Sequence, residues 1–206
     1  MAFIGPGARA GARPRVEAGS REQIGLFDFG LAWAAGRAVG TEPLRLFRTL
    51  AIHRRLFRGW LRFAGSLTLR GLLSRQDAEL VILRVGERCR CDYELGHHRR
   101  IAALSGLTAD QIAAVSGSVD AAVWTSRQRA LLRAVDELHD DRDLSDLVWE
   151  ELSHHLSARQ VIELCMLAGH YEMLAMTLNA LRVPPEPVTG RLRIAPVLRR
   201  RARSGR

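Results

Sequence analysis

The sequence predicts an all-α protein, and three features of its 206 residues carry that prediction. Residues that cap helices stand repeatedly before apolar stretches, at Ser74, Thr108, Thr125, Ser145 and Ser157. Within those stretches apolar side chains recur at three- and four-residue spacing, the period of one helix face. Hydrophobic residues make up 47% of the chain but aromatic residues only 6%, which suits packed helices rich in Ala and Leu better than a β-sandwich. A chain of this length buries one sizeable core, so a single domain with loose ends is expected.

In chain order, residues 1 to 20 are biased to Gly, Ala, Arg and Pro and are expected to be disordered. Residues 21 to 40 hold Ile24, Leu26, Phe27, Leu31, Trp33 and Val39, a helical extension interrupted by glycines. The main helical domain is expected over 41 to 187. Thr41 caps its first helix, with Pro43 in the first turn, through Leu44, Phe47 and Leu50 to about His53. A second piece runs through Leu56, Trp60, Phe63 and Leu67. Ser74 with Asp77 reads as a capping box for a helix from Arg75 to about Glu87, which the Cys89-Arg90-Cys91-Asp92 step breaks. The next helix starts near Cys91 or Asp92 and stops at Ser105-Gly106. Thr108 with Gln111 opens a short helix to about Val115. Thr125 or Ser126 caps one with Ala130, Leu131, Ala134 and Leu138 on one stripe. Ser145 caps another, and Ser157 with Gln160 begins a long apolar helix that Pro184-Pro185 stops. Residues 188 to 206 form an Arg-rich tail expected to be disordered.

The chemically capable side chains concentrate between Ser74 and Leu107. At about 100° per residue, Glu79 lies on the same side of its helix as Ile82, Leu83 and Gly86, so its carboxylate points inward, where it must find a partner or take up a proton. On the following helix Cys91, Leu95, His98 and Ala102 share one stripe with Glu94 at its edge. Cys91 and His98 are two turns apart, about 10 Å along the axis. An inward Glu79 facing Cys91, Glu94 and His98 would place an acid, a base and a thiol in one apolar pocket, a setting that shifts pKa values.

Glu79 with Arg84, then Cys91, Tyr93-Glu94 and His98, followed by Ile101-Ala102 and Gly106-Leu107-Thr108, resembles the carboxymuconolactone decarboxylase / alkylhydroperoxidase D-like family. The resemblance implies the all-helical alkylhydroperoxidase D-like fold and assembly into homo-trimers or hexamers. In its peroxidase branch a glutamate, a Cys-x-x-Cys pair and a histidine form a proton relay. Matched by position, these are Glu79, Cys91 with Glu94, and His98. Glu94 stands where the second cysteine, the one that attacks peroxide, would be. The decarboxylase branch works without cysteines, through a histidine with acid and base neighbours. The implied activity is therefore thiol-dependent hydroperoxide reduction, with Cys91 as nucleophile, His98 as base, Glu79 orienting His98 and an external thiol as reductant. The alternatives are cofactor-free decarboxylation or proton transfer on a small carboxylated lactone through His98 and Glu94, and a non-catalytic oligomeric scaffold.

Each candidate also has a plainer reading. Glu79 could pair structurally with Arg84 or another arginine, His98 could be a core histidine, and His97 a surface one. Cys91 could be a small buried hydrophobe, or a thiol activated by Arg90 and His98. Tyr93 points away from Cys91 and reads as a packing or interface residue. Cys89, Cys91, His97 and His98 crowd together but lack zinc spacing, so no metal and no cofactor are expected. Gly169-His170-Tyr171-Glu172 faintly echoes the Tyr93-Glu94 region and reads as packing.

Every one of the 31 basic residues is arginine, which excludes lysine Schiff-base chemistry. The net charge of +9 sits in the tails, with seven arginines in residues 191 to 206 and four in residues 1 to 21. The folded part is nearly neutral, so no specific nucleic-acid partner is expected. Three cysteines do not make a disulfide scaffold, and neither a signal peptide nor a long uninterrupted apolar run is apparent. A cytoplasmic location without membrane contact is the resulting expectation.

Overall fold

The structure is a computed structural model that describes residues 13–190. Among these residues there is no strand, only an isolated bridge between Thr41 and Val188. The helices are α1 (Arg21–Val39), α2 (Arg45–Leu50), α3 (Arg54–Arg70), α4 (Arg75–Arg88), α5 (Asp92–Leu104), α6 (Ala109–Ala114), α7 (Ser126–Asp140), α8 (Asp146–Ser153) and α9 (Ala158–Leu181), with a 3₁₀ turn at Ala51–His53 before α3. The all-α expectation and most of the predicted starts hold. Full capping boxes form at Ser20, Thr108, Thr125 and Ser157. At Ser74 only half of one forms. Its hydroxyl accepts from the Asp77 N–H, while the Asp77 carboxylate turns to Arg127 of α7, 2.9 Å away.

α4 is the axis of the molecule, packed against α5, α7 and α9. From Asp77 to Gly86 every residue is buried, so this helix has no solvent face along its middle. Its polar residues must then be partnered internally. Arg84 reaches Asp136 of α7 with two bonds of 2.8 and 2.6 Å and also donates to the carbonyls of Val115 and Gly117. Gly86 lets α5 approach, since a Cβ there would lie 3.1 Å from Leu95. α9 is long and apolar enough by length and composition to cross a membrane, yet half of it is buried inside the fold as a core helix.

The extension is part of the packed body. Gly25, at φ +82°, kinks α1. The Ile24 carbonyl accepts from Arg54 at 2.7 Å, and Arg54 also pairs with the buried Asp28 at 3.2 Å. Ile24, Ala51 and Phe57 form a satellite cluster that Phe47, Leu50 and Trp60 join to the main core.

Residues 13–20 correct the expectation of disorder. Arg15 N–H donates to the Leu181 carbonyl at 2.9 Å and Gly19 N–H to that of Arg48 at 3.2 Å. These are backbone bonds of an extended segment, which side-chain periodicity does not reveal. Residues 1–12 and 191–206, the rest of the two tails expected to be disordered, lie outside the described residues. At the other end, residues 184–190 return along the start of α2, with Thr189 N–H bonded to the Gly40 carbonyl at 3.0 Å.

Candidate functional site

Glu79 points inward from α4, as its helical position requires, and is fully buried. Its Oε2 lies 2.7 Å from His98 Nδ1 and its Oε1 2.7 Å from the Arg75 guanidinium, one turn earlier on α4. The partner is thus Arg75 rather than Arg84. A carboxylate accepts, so His98 donates through Nδ1 and leaves Nε2 for another group. The edge of Tyr171, from α9, meets the His98 ring with centroids 5.2 Å apart. Burial, with the Glu79 carboxylate beside it, keeps the Tyr171 phenol protonated far above neutral pH. His98 retains 15% side-chain exposure.

Glu94 lies one turn before His98 on α5, on the same face. It is buried, and neither carboxyl oxygen has a hydrogen-bond partner. Burial pushes its pKa up from 4.5 to about 8; the Cys91 thiol facing it offsets a little of that cost without forming a regular hydrogen bond. Glu94 is therefore a neutral acid at pH 7.

Cys91 precedes α5 at its N-cap and is fully buried. Desolvation first, then the Glu94 charge, push its thiol up to about 12. Of the two readings of Cys91, the small buried hydrophobe fits this environment better than the thiol activated by Arg90 and His98. Arg90 adopts φ +51° and turns to solvent, and His98 is engaged by Glu79. Cys91 thus lacks the positive neighbour that ionises reactive thiols.

The structure disperses the crowded Cys89, Cys91, His97 and His98 set. His97 is not a surface residue: its Nε2 meets Glu186 at 2.7 Å, and the same carboxylate accepts from the Tyr93 hydroxyl at 2.6 Å and from the Arg45 N–H. Those bonds hold the Glu186 carboxyl below its ordinary value despite burial. Tyr93 is accordingly a packing residue that ties α5 to the returning C-terminal segment. His170 stacks on Trp60 and is driven down to about 4 by burial, so it stays neutral. Cys165 is half-buried on α9, and its thiol is likewise raised by burial.

The structure thus joins Glu79 to His98, with Glu94 one turn before His98 on α5 and the Cys91 thiol facing Glu94. Arg75 and Tyr171 were not anticipated. Arg75 had a signal, its place four residues before Glu79, whereas Tyr171 had only the faint echo around Gly169-His170-Tyr171-Glu172.

All four expected site residues fall inside one matched segment, because residues 54–137 match the sequence model of the Carboxymuconolactone decarboxylase family. Over that stretch the chain is similar to the carboxymuconolactone decarboxylase family. None of the curated proteins compared with it matches. Solved structures extend the likeness to the whole fold. A protein from Ralstonia eutropha JMP134, described as an alkylhydroperoxidase AhpD core and uncharacterized peroxidase-related protein, superposes with TM-score 0.76 at 17% identity, covering 88% of this chain and 98% of that one. An uncharacterized peroxidase-related protein from Silicibacter sp. TM1040 gives 0.70 at 18% identity, covering 94% and 100%. The debrominase Bmp8 gives 0.69 at 12% identity, covering 84% and 93%. At these identities the chain shares their AhpD-like all-helical fold, and the likeness speaks to the fold alone.

Proposed function

We propose that this chain is a cytoplasmic, cofactor-independent acid–base enzyme of the carboxymuconolactone decarboxylase kind, acting on a small carboxylated lactone. The observation that carries the reading is the Arg75–Glu79–His98 chain, with 2.7 Å at both contacts and the carboxylate fully buried. Glu79 fixes the imidazole's tautomer and orientation, so that Nε2 can deliver and recover a proton. In decarboxylation the bond from ring carbon to carboxylate breaks, CO₂ leaves, and the electron pair spreads into the conjugated lactone carbonyl as an enolate. His98 then gives its Nε2 proton to that enolate, and water restores it. Glu94, kept neutral by burial, lies one turn from His98 on the same face of α5 and adds no charge beside it.

A second reading is hydroperoxide reduction, favoured by Cys91 at the position of the family's thiol and by the peroxidase-related descriptions of the neighbours. Cys91 burial, its thiol near 12 and Glu94 in place of a second cysteine weigh against it. The discriminating experiment is a brief hydroperoxide exposure with a dimedone trap and peptide mass spectrometry. The acid–base reading expects no sulfenic acid adduct at Cys91. A Cys91 adduct forming within the turnover time would establish the thiol reading instead.

The same proposal includes a homo-oligomer. Ile162, Met166, Met173 and Met176 line the outer side of α9 with exposures of 65, 48, 44 and 62%, an apolar stripe that a second copy would cover. Sedimentation velocity at micromolar concentration is expected to show a trimer or larger. A monomer throughout that range would remove this part of the proposal.

A further inference from the structure

Among the described residues outside the Glu79–His98 site, one set of ligand-type side chains converges. Cys89 follows the last turn of α4, His139 stands in the last turn of α7, and Glu172 lies in the middle of α9. Cys89 Sγ is 4.0 Å from His139 Nδ1, and Glu172 Oε1 is 2.6 Å from that same nitrogen. The three donor atoms all lie within 4.8 Å of one another.

A nucleophilic Cys–His–acid relay would use the two ring nitrogens separately, one facing the thiol and the other the carboxylate. Here both groups face Nδ1, and a single proton there serves only one of them. The geometry is that of donors aimed at a common point. We propose that Cys89, His139 and Glu172 bind a divalent ion of the zinc class. The donor set is a thiolate, an imidazole and a carboxylate, the three that zinc takes in proteins. Tetrahedral coordination with ordinary bond lengths puts sulfur and nitrogen about 3.6 Å apart, a small closure from the distance seen. The carboxylate need only swing outward from its hydrogen bond.

Neighbouring residues hold these donors in place. Arg142 lies 3.4 Å from Glu172 Oε2, the oxygen turned away from His139, and so orients the carboxylate for ligation through Oε1. Asn179 donates to the Cys89 carbonyl at 3.0 Å and fixes the turn that carries the thiol. All three donors are half-buried, which leaves an entry path. His139 also lines a cavity of about 330 Å³ with Arg84, Arg88 and Arg90, where a water or small anion can complete the fourth position.

The test is a cobalt(II) titration of the tag-free full chain, stripped with chelator and kept reduced. The expected result is a thiolate-to-cobalt charge-transfer absorption that saturates at one equivalent and is displaced by zinc. Cys89→Ser is expected to abolish it, and His139→Ala and Glu172→Gln to weaken binding by at least about tenfold. Cys91→Ser, Cys165→Ser and His98→Gln are expected to keep it, which separates this site from the acid–base one. Circular dichroism checks that each variant is folded. The wild-type titration decides even if a variant does not fold: absence of the charge-transfer band overturns the proposal, as does a full band in folded Cys89→Ser.

Discussion

His98→Gln is expected to lower kcat on a carboxylated lactone by about 10²- to 10⁴-fold, the usual contribution of a positioned acid–base group, with much less change in KM. Glutamine keeps a hydrogen bond to Glu79 but carries no transferable proton. Glu79→Gln is expected to cost nearly as much, because the imidazole would lose the buried carboxylate that orients it, 2.7 Å from its Nδ1. The double variant should be little worse than either single one, since the two residues act as a unit. Full additivity, read from the same kinetic assay, would contradict that coupling. Arg75 contributes at the far side of the chain, and its loss would leave Glu79 Oε1 buried without a cation.

Glu94 produces the second large effect, on stability. Its pKa rises from 4.5 to about 8 in the folded protein, so the folded state keeps its proton where the unfolded chain has lost it. A raised folded pKa makes this group's contribution fully present below about pH 4.5 and progressively lost as pH climbs through 8. The loss is of the order of 4 kcal/mol across that window, at 1.36 kcal/mol per unit. Glu94→Met removes both the titration and the unpartnered carboxyl at similar volume. Urea melts at pH 5 and pH 8 should show wild-type stability falling between them and the variant holding nearly level on this account. Parallel behaviour of the two proteins would mean that Glu94 is solvated or partnered.

How much of this was legible in the sequence depended on whether a feature was local. The caps at Thr108, Thr125 and Ser157 form with the glutamine three residues on, because everything required lies within one turn. The inward direction of Glu79 followed from helical geometry, and the stripe of Cys91, Glu94 and His98 from the same rule. Partnerships across the fold were not legible. Glu186 lies 89 residues from His97, and no spacing rule joins them, so His97 read as a surface residue. The choice between the two readings of Cys91 was not legible for a related reason. Flanking Arg90 suggested activation, but its left-handed backbone conformation turns it to solvent while Cys91 faces the core. α4 carries too many charged residues to read as a fully buried helix. Only the arrival of Arg127 and Asp136 from α7 and of His98 from α5 makes that burial affordable.

The central claim is that proton transfer at His98, and not thiol chemistry at Cys91, is the activity of this site. Its most direct test is CO₂ release from a carboxylated lactone by purified Cys91→Ser measured beside His98→Gln. The account predicts turnover within about twofold of wild type for Cys91→Ser, as expected when a residue contributes packing alone, and a loss of at least about 10²-fold for His98→Gln. Loss of turnover in folded Cys91→Ser with activity retained in His98→Gln would contradict it.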